Sequence, residues 1–215
     1  MLTFARARVC LSSFTIALGP AVAAAQQPPP IGVAPVVLSA GPYTFDTAEQ
    51  HGLRVAVGAR GLNHPFAIAP LPNGDALVTE RGRALRLVRG AGGPSPRLEP
   101  APIAGLPTPP AIRGGGWQDV VLHPKFAENH LVYLSYNKAE NATPTAKSAV
   151  ALGRGRFDGT AITGFSEIFA GEFKDGNSGS RVAFGADGTL YLTTGAGNGL
   201  FAQEPSSVYG KVLRL

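Results

Sequence analysis

The sequence has 215 residues, of which 28 are glycine and 19 are proline, and its formal net charge is +5. Glycine and proline at this frequency disfavour a helical protein and are typical of short strands joined by tight turns. The basic residues are scattered, with no basic run, no interleaved aromatic platform and no zinc-ligand spacing, so neither nucleic-acid binding nor a zinc site is supported.

The N-terminal residues have the order of features that is typical of a secretory signal peptide. Arg6 and Arg8 precede a mostly apolar stretch from Val9 to Gly19, and a run of small residues ends at Ala25. The apolar stretch is shorter than the roughly 18 residues of a membrane-spanning helix, so a membrane anchor is the less favoured alternative. We therefore expect residues 1–25 to be removed, the mature chain to lack a membrane span, and the protein to be periplasmic or secreted.

The next segment, residues 26–50, begins with a proline-rich, uncharged stretch and is predicted to be an extended linker. Folded structure is expected over residues 51–215, where an alternating strand from Leu53 to Val57 comes first. This part is long enough for one hydrophobic core, or for part of a larger one.

Three segments of the folded part share one pattern, in which a β-branched or aromatic run, a turn rich in Asn, Asp, Gly or Pro, and a second run follow each other. This pattern predicts antiparallel hairpins. The turns recur at roughly 55 to 60 residues, and a regular spacing of this length indicates a repeat architecture. The paired runs are Phe66–Pro70 with Ala76–Glu80, Val120–Pro124 with Leu131–Tyr136, and Val182–Gly185 with Leu190–Thr194.

A further run follows each hairpin, at Ala84–Val88, Val150–Phe157 and Lys211–Leu215, which gives roughly four strands per repeat. A β-sandwich explains the short strands equally well but not the regular spacing. We therefore expect an all-β, incomplete β-propeller with four-stranded antiparallel blades. Because the pattern stops after two to three blades and a propeller typically closes with at least four, the sequence predicts the N-terminal part of a larger protein.

Several short strings carry more specific information than this pattern. They are GLNHPF at 61–66, TER at 79–81, GGGWQDVVLHPKFA at 114–127, GRFDG at 155–159, SRVAFGADGTLY at 180–191, and AQ at 202–203 followed by GKVLRL at 210–215. In this order and spacing they resemble the glucose/sorbosone dehydrogenase family, soluble aldose sugar dehydrogenases that use pyrroloquinoline quinone (PQQ). The resemblance runs from about Leu53 to Leu215 and covers about the first half of a family member.

The resemblance implies a fold, cofactors and a reaction. The family fold is a six-bladed propeller whose top face holds PQQ together with calcium. The implied reaction oxidises the C1 hydroxyl of an aldose to the lactone: a histidine takes the hydroxyl proton while hydride passes to the quinone. An aspartate holds that histidine, and a glutamine of the second blade positions the quinone. The implied partner is a small-molecule sugar, and the electron acceptor is left open.

Carried over onto this sequence, the catalytic positions of the family fall on different residue types. Asn177 stands at the histidine position, four residues before Arg181, and an amide cannot accept a proton at any useful pH. Ala196 stands at the aspartate position, and Gly114, followed by Gly115, stands at the glutamine position. The candidate site residues are thus Asn177 and Arg181 at catalytic positions and Gly114, Gly115 and Ala196 at cofactor-binding positions; no metal ligand is assigned.

Three further residue types have two possible roles. His64 and His123 lie in His-Pro strings at strand ends, which predicts turn structure rather than catalysis. Trp117 either belongs to the core or lines a sugar site, with the core favoured. Arg181 either contacts an anionic cofactor or orders a loop between blades.

Two functions from different classes are therefore open. The first is a PQQ-dependent sugar dehydrogenase, for which PQQ and calcium are implied by the resemblance alone. The second is a non-catalytic sugar- or protein-binding propeller fragment, because fold and active site are separable.

Overall fold

A computed structural model describes residues 41–81, 84–108, 115–143, 145–176, 178–196 and 199–215. The predicted signal peptide, the first part of the predicted linker, and the candidate residues Gly114 and Asn177 lie outside these ranges. Within them, no helix is both long enough and apolar enough to cross a membrane.

The first ordered element is a two-stranded antiparallel sheet of β1 (Tyr43–Phe45) and β2 (Leu53–Val55). The turn between the strands is closed by a carboxylate oxygen of Asp46, which accepts the backbone N–H of Gly52 at 2.7 Å. β1 lies within the segment that the sequence predicts as a linker, so ordered structure begins before residue 51. The sequence gives little sign of it, because three residues are too few to show the alternation on which strand prediction depends.

The first blade is a four-stranded antiparallel sheet of β3 (Pro65–Pro70), β4 (Ala76–Glu80), β5 (Ala84–Arg89) and β6 (Arg97–Leu98). The turn between β3 and β4 contains Gly74 at φ 87°, a left-handed conformation that glycine adopts without strain. This is the Asn-Gly turn that the sequence predicts, so the first hairpin matches its predicted bounds to within one residue.

The second blade is a four-stranded antiparallel sheet of β7 (Gly116–Leu122), β8 (Leu131–Ala139), β9 (Ser148–Phe157) and β10 (Ile162–Ala170). The connection between β7 and β8 is one turn of helix, α1 (Phe126–Asn129), where the sequence predicts a turn. β7 begins four residues before the predicted run, because its first half is the glycine, tryptophan, glutamine and aspartate string that apolar periodicity does not reveal.

The third blade has three antiparallel strands among the described residues, β11 (Ser180–Phe184), β12 (Leu190–Thr194) and β13 (Val212–Arg214). A short 3-10 helix, Leu200–Gln203, lies between the last two strands. The first strand of each blade contacts the first strand of the next, so β3 touches β7 and β7 touches β11. This radial order of sheets is the arrangement of propeller blades and not of a two-sheet sandwich, which confirms the predicted fold class.

The core between the first and second blades is built around Trp117, which is 1% exposed. Its ring centroid lies 5.0 Å from that of Tyr136 and 5.8 Å from that of Phe165, in the tilted and edge-on geometries that aromatic pairs prefer. Trp117 is therefore a core aromatic and does not line a sugar site. A second, smaller core joins the second and third blades through Tyr133, Val182 and their apolar neighbours.

The histidines at strand ends take part in turns. His64 has a φ of 50°, and its carbonyl accepts the N–H of Arg81 at 3.0 Å, across the start of the first hairpin. The Nδ1 atom of His123 accepts the N–H of Lys125 at 3.0 Å, at the turn into α1. Both roles agree with the turn structure that the His-Pro strings predict.

An ion pair at the edge of the first core is expected to contribute a pH-dependent share of stability. Lys138 Nζ lies 2.8 Å from Glu167 Oε1, and the Tyr136 hydroxyl donates to Glu167 Oε2 at 2.7 Å. Burial raises the pKa of Glu167, but the bonds from Lys138 and Tyr136 outweigh burial and hold that pKa below its ordinary value of 4.5. The stabilisation is therefore present above pH 4.5 and is lost as the pH falls through the lowered pKa.

We expect Lys138→Met to lower the free energy of unfolding at pH 7 by about 0.5 kcal/mol, since solvent screens a pair that is one third exposed. Urea unfolding of both proteins at neutral pH and near pH 3 measures the difference. The exposed Lys147→Met is the matched control. A deficit as large at pH 3 as at pH 7 contradicts the assignment of this stabilisation to the charged pair.

Candidate active site

The candidate site lies where the first strand of the third blade begins. Ser178 and Gly179 precede β11, and Gly195 and Ala196 directly follow β12. The N–H of Gly195 donates to the carbonyl oxygen of Gly179 at 2.8 Å, and the Ser178 hydroxyl donates to the carbonyl oxygen of Gly195 at 2.8 Å. Ala196 stands at the predicted aspartate position. Its neighbour Gly195 is hydrogen-bonded to Ser178 and Gly179, the two residues that follow the predicted histidine position.

The start of the second blade joins the same arrangement. Gly115 is buried, and its neighbour Gly116 pairs with Asn137 in the register of β7 and β8. The Nδ2 atom of Asn137 donates to the carbonyl oxygen of Ser178 at 3.0 Å, and the side-chain amide of Gln118 donates to the same oxygen at 2.7 Å. Two buried amides therefore hold the carbonyl group of Ser178, the residue that follows the predicted histidine position.

A network of buried hydroxyl groups extends from Gln118 to all three blades. The Ser180 hydroxyl donates to Gln118 Oε1 and lies 2.8 Å from the hydroxyl of Ser135. Towards the first blade, the Thr79 hydroxyl donates to the backbone carbonyl of Gln118 at 2.5 Å. These four side chains are at most 4% exposed, and buried polar groups of this kind are stable only when they are paired. We call this set, together with Asn137 and Ser178, the buried polar network.

Arg181 also connects the three blades. Its guanidinium lies 3.2 Å from Asp119 Oδ1 and 5.0 Å from the centre of the Phe66 ring, while Asp119 Oδ2 accepts the N–H of Val182 at 2.7 Å. The Arg181 side chain is 59% exposed, so one edge remains open to solvent. In this geometry Arg181 links the blades, and Asp119 balances the charge of its guanidinium group. A catalytic contribution from Arg181 stays a prediction.

The structure brings Gly115, Arg181 and Ala196 into one region, and it adds residues that the sequence pattern did not single out. Gln118 lies inside one of the family-like strings, and Asn137 lies two residues after Ser135 in a mostly buried strand. Residues two positions apart on a strand share one face, so Ser135 and Asn137 lie on the same side of β8. Two polar residues on one face of a predicted buried strand indicate a buried polar cluster. Their partners on the third blade could not be read from the pattern.

One atom of the buried polar network receives no hydrogen bond from the part of the chain that the structure describes. Asn137 is 0% exposed, and its Oδ1 accepts no hydrogen bond among the described residues. A buried acceptor without a donor is costly, and an ordered water or a ligand donor is the usual explanation. A hydroxyl group fits this acceptor, whereas the carboxylates and carbonyls of PQQ do not, because they are themselves acceptors.

The described residues do not by themselves fit PQQ and calcium. The carboxylates of PQQ would be held best by arginine or lysine side chains. The arginine described beside the buried polar network is Arg181, and Asp119 already balances its charge. In the part of the chain that the structure describes, no group of three or more His, Cys, Asp or Glu side chains could hold a metal ion. We therefore assign none of the described residues as a ligand of either group.

Comparison with known proteins agrees with this architecture. The family model for glucose/sorbosone dehydrogenase matches residues 62–215. The aldose sugar dehydrogenase YliI of Escherichia coli K12 is 35% identical over 161 residues, which are 72% of this chain and 41% of that protein. The chain spans less than half of the length of the relatives that it matches.

Two solved structures show the same fold. The apo form of the soluble aldose sugar dehydrogenase from Escherichia coli superposes with a TM-score of 0.60 at 34% identity, over 72% of this chain and 44% of that one. The PQQ-bound aldose sugar dehydrogenase from Streptomyces coelicolor superposes with a TM-score of 0.59 at 30% identity, over 73% of this chain and 46% of that one. With the family match over residues 62–215, they show that the chain belongs to the glucose/sorbosone dehydrogenase family.

Proposed function

We propose that this chain forms part of the substrate site of an aldose sugar dehydrogenase, which oxidises the C1 hydroxyl of the sugar to the lactone and passes hydride to PQQ. Family membership and the named activity of the relatives from Escherichia coli and Streptomyces coelicolor support sugar oxidation. The PQQ-bound relative supports the choice of quinone. Calcium dependence and export to the periplasm belong to the proposal, as implied by the resemblance and by the predicted signal peptide.

The observation that carries the proposal is the Oδ1 atom of Asn137, which accepts no hydrogen bond from the described residues and belongs to the amide that holds the carbonyl of Ser178. An aldose presents several hydroxyl donors, and a donor held by Asn137, directly or through a bridging water, would complete the buried polar network. The network links three blades, so such a donor would sit against a rigid wall. Rigid support of this kind is what a substrate site requires.

The share of the reaction that falls to this chain is binding and orientation. Oxidation at C1 removes a hydride from carbon and a proton from the hydroxyl group. An amide cannot take that proton, so the proton acceptor is not Asn177. The described residues assign no other base, and we place the proton acceptor outside the buried polar network.

A second candidate is a propeller that binds sugars without oxidising them. The replacement of the base and of its carboxylate partner, by Asn177 and Ala196, favours this alternative. Loss of a general base typically costs about 10²–10⁴ in rate while leaving the binding surface intact. Binding and turnover therefore separate the two candidates.

The test is calorimetry of the purified protein with PQQ and calcium, then with a set of aldoses, followed by a dye-reduction assay on the same samples. We expect heat of binding with PQQ that is abolished by a calcium chelator, and slow aldose-dependent dye reduction. Sugar binding without PQQ binding or dye reduction would select the binding propeller. Absence of heat with both PQQ and aldoses would contradict both candidates.

A further inference from the structure

A groove of about 340 Å³ crosses the outer strands of the second blade. It lies beside Leu131 at the start of β8, whereas the buried polar network meets β8 at Ser135 and Asn137. The nearer of these two residues, Ser135, is four positions from Leu131, which is about 13 Å along a strand. The groove is therefore separate from the candidate active site.

The sequence makes this groove through alternation and a bulge. Arg154 and Arg156 are two positions apart on β9 and share one face of the sheet. On β10, Gly164 and Phe165 together oppose the single residue Gly155, which is the two-against-one pairing of a β-bulge. Gly164 has a φ of 59° and no side chain, so the strand bends there without filling the groove.

The opposite face of β9 explains why both arginines point into the groove. A Cβ at Gly155 would lie 2.4 Å from the Cγ2 atom of Ile162, and one at Gly153 would lie 2.2 Å from the Phe165 ring. Apolar side chains of β10 thus cover the glycine face of β9 and pack into the core between the first and second blades. The arginine face of β9 is left open.

The groove carries positive charge that no described residue balances. Arg154 and Arg156 are exposed, and neither guanidinium has an ion pair or a side-chain hydrogen bond among the described residues. The nearest acidic residue along β10, Glu167, is bonded to Lys138 and Tyr136. Like charges on one strand face repel each other, so an anion between the two guanidinium groups would relieve that repulsion.

We propose that this groove, formed by Arg154, Arg156, Thr163, Gly164 and Ser166, binds a phosphate or sulfate group. Guanidinium groups hold tetrahedral oxyanions through paired, charge-assisted hydrogen bonds. Ser166 lines the groove and its hydroxyl offers a further donor, whereas the Thr163 hydroxyl donates to the carbonyl oxygen of Arg156 at 3.3 Å. The site goes beyond sugar oxidation and does not depend on it.

The test is a titration of the ¹⁵N-labelled protein with inorganic phosphate at low ionic strength, followed by amide chemical shifts. We expect saturable shifts at residues 154–166 and a loss of affinity of at least about tenfold in Arg154→Gln/Arg156→Gln. The matched control, Arg54→Gln/Arg214→Gln, removes the same charge from exposed positions on β2 and β13 and should bind as the parent does. Because the substituted side chains are exposed, a circular-dichroism spectrum unchanged from the parent is expected.

Two results would overturn the proposal: equal affinity of the parent and the groove variant, or phosphate shifts that do not cluster at residues 154–166. Co-sedimentation with phosphatidylglycerol vesicles then identifies the source of the group. Binding that is lost in the groove variant points to a lipid headgroup. Phosphate binding without vesicle binding points to a free phosphate or sulfate ester.

Discussion

The double substitution Asn177→His/Ala196→Asp is expected to raise aldose-dependent dye reduction by about 10²–10⁴-fold, in the presence of PQQ and calcium. Histidine at position 177 would supply a base with a pKa near neutrality, and aspartate at position 196 would orient its ring and stabilise its charged form. The N–H of Gly195, the residue before Ala196, donates to the carbonyl oxygen of Gly179, which follows position 177 by two residues.

Three variants separate a restored base from a general improvement in sugar binding. Asn177→Gln keeps an amide and should show no gain in rate. Asn177→His alone should show a smaller gain than the double substitution, because the ring lacks its orienting carboxylate. A pH–rate profile of the double variant should follow the titration of one histidine. If the double variant binds PQQ and sugar but turns over no faster than the parent, position 177 is not the base position.

The strands could be predicted from the sequence because their information is local. The first hairpin is set by the Asn-Gly turn at Asn73 and Gly74, flanked by apolar runs, and the structure places β4 at the predicted Ala76–Glu80. The regular return of such turns distinguishes the propeller from the sandwich. The family resemblance is collinear with these elements, and the match over residues 62–215 confirms it.

The buried polar network could not be predicted because its contacts are distant in sequence. Gln118 and Ser178 are 60 residues apart, and the bond between them exists only when the second and third blades pack together. Arg181 illustrates the same limit. The position of Arg181 in the string at 180–191 predicts either contact with an anionic cofactor or the ordering of a loop between blades. Only the packed blades show that its guanidinium lies 3.2 Å from Asp119.

Gln118→Leu is expected to lower the free energy of unfolding by about 1–3 kcal/mol, a larger loss than that expected for Lys138→Met. The substitution keeps the size of the side chain but removes the donor to the Ser178 carbonyl and the acceptor of the Ser180 hydroxyl. Ser178 retains Asn137 and Ser180 retains Ser135, so the loss is partial. Urea unfolding at pH 7 measures it, with the m-value showing whether the blades still unfold together.

The exposed residue Gln203 in the 3-10 helix provides the matched control, since Gln203→Leu makes the same chemical change without a buried partner. A loss of stability confined to Gln118→Leu assigns the effect to the buried polar network. Hydrogen exchange should then accelerate at Gly179 and Ser180, because the clamp on the Ser178 peptide has lost one of its two amides. If Gln118→Leu and Gln203→Leu lower the free energy of unfolding equally, the buried polar network does not hold the segment at Ser178 and Gly179. The rigidity on which a substrate site at position 177 depends would then have to come from elsewhere.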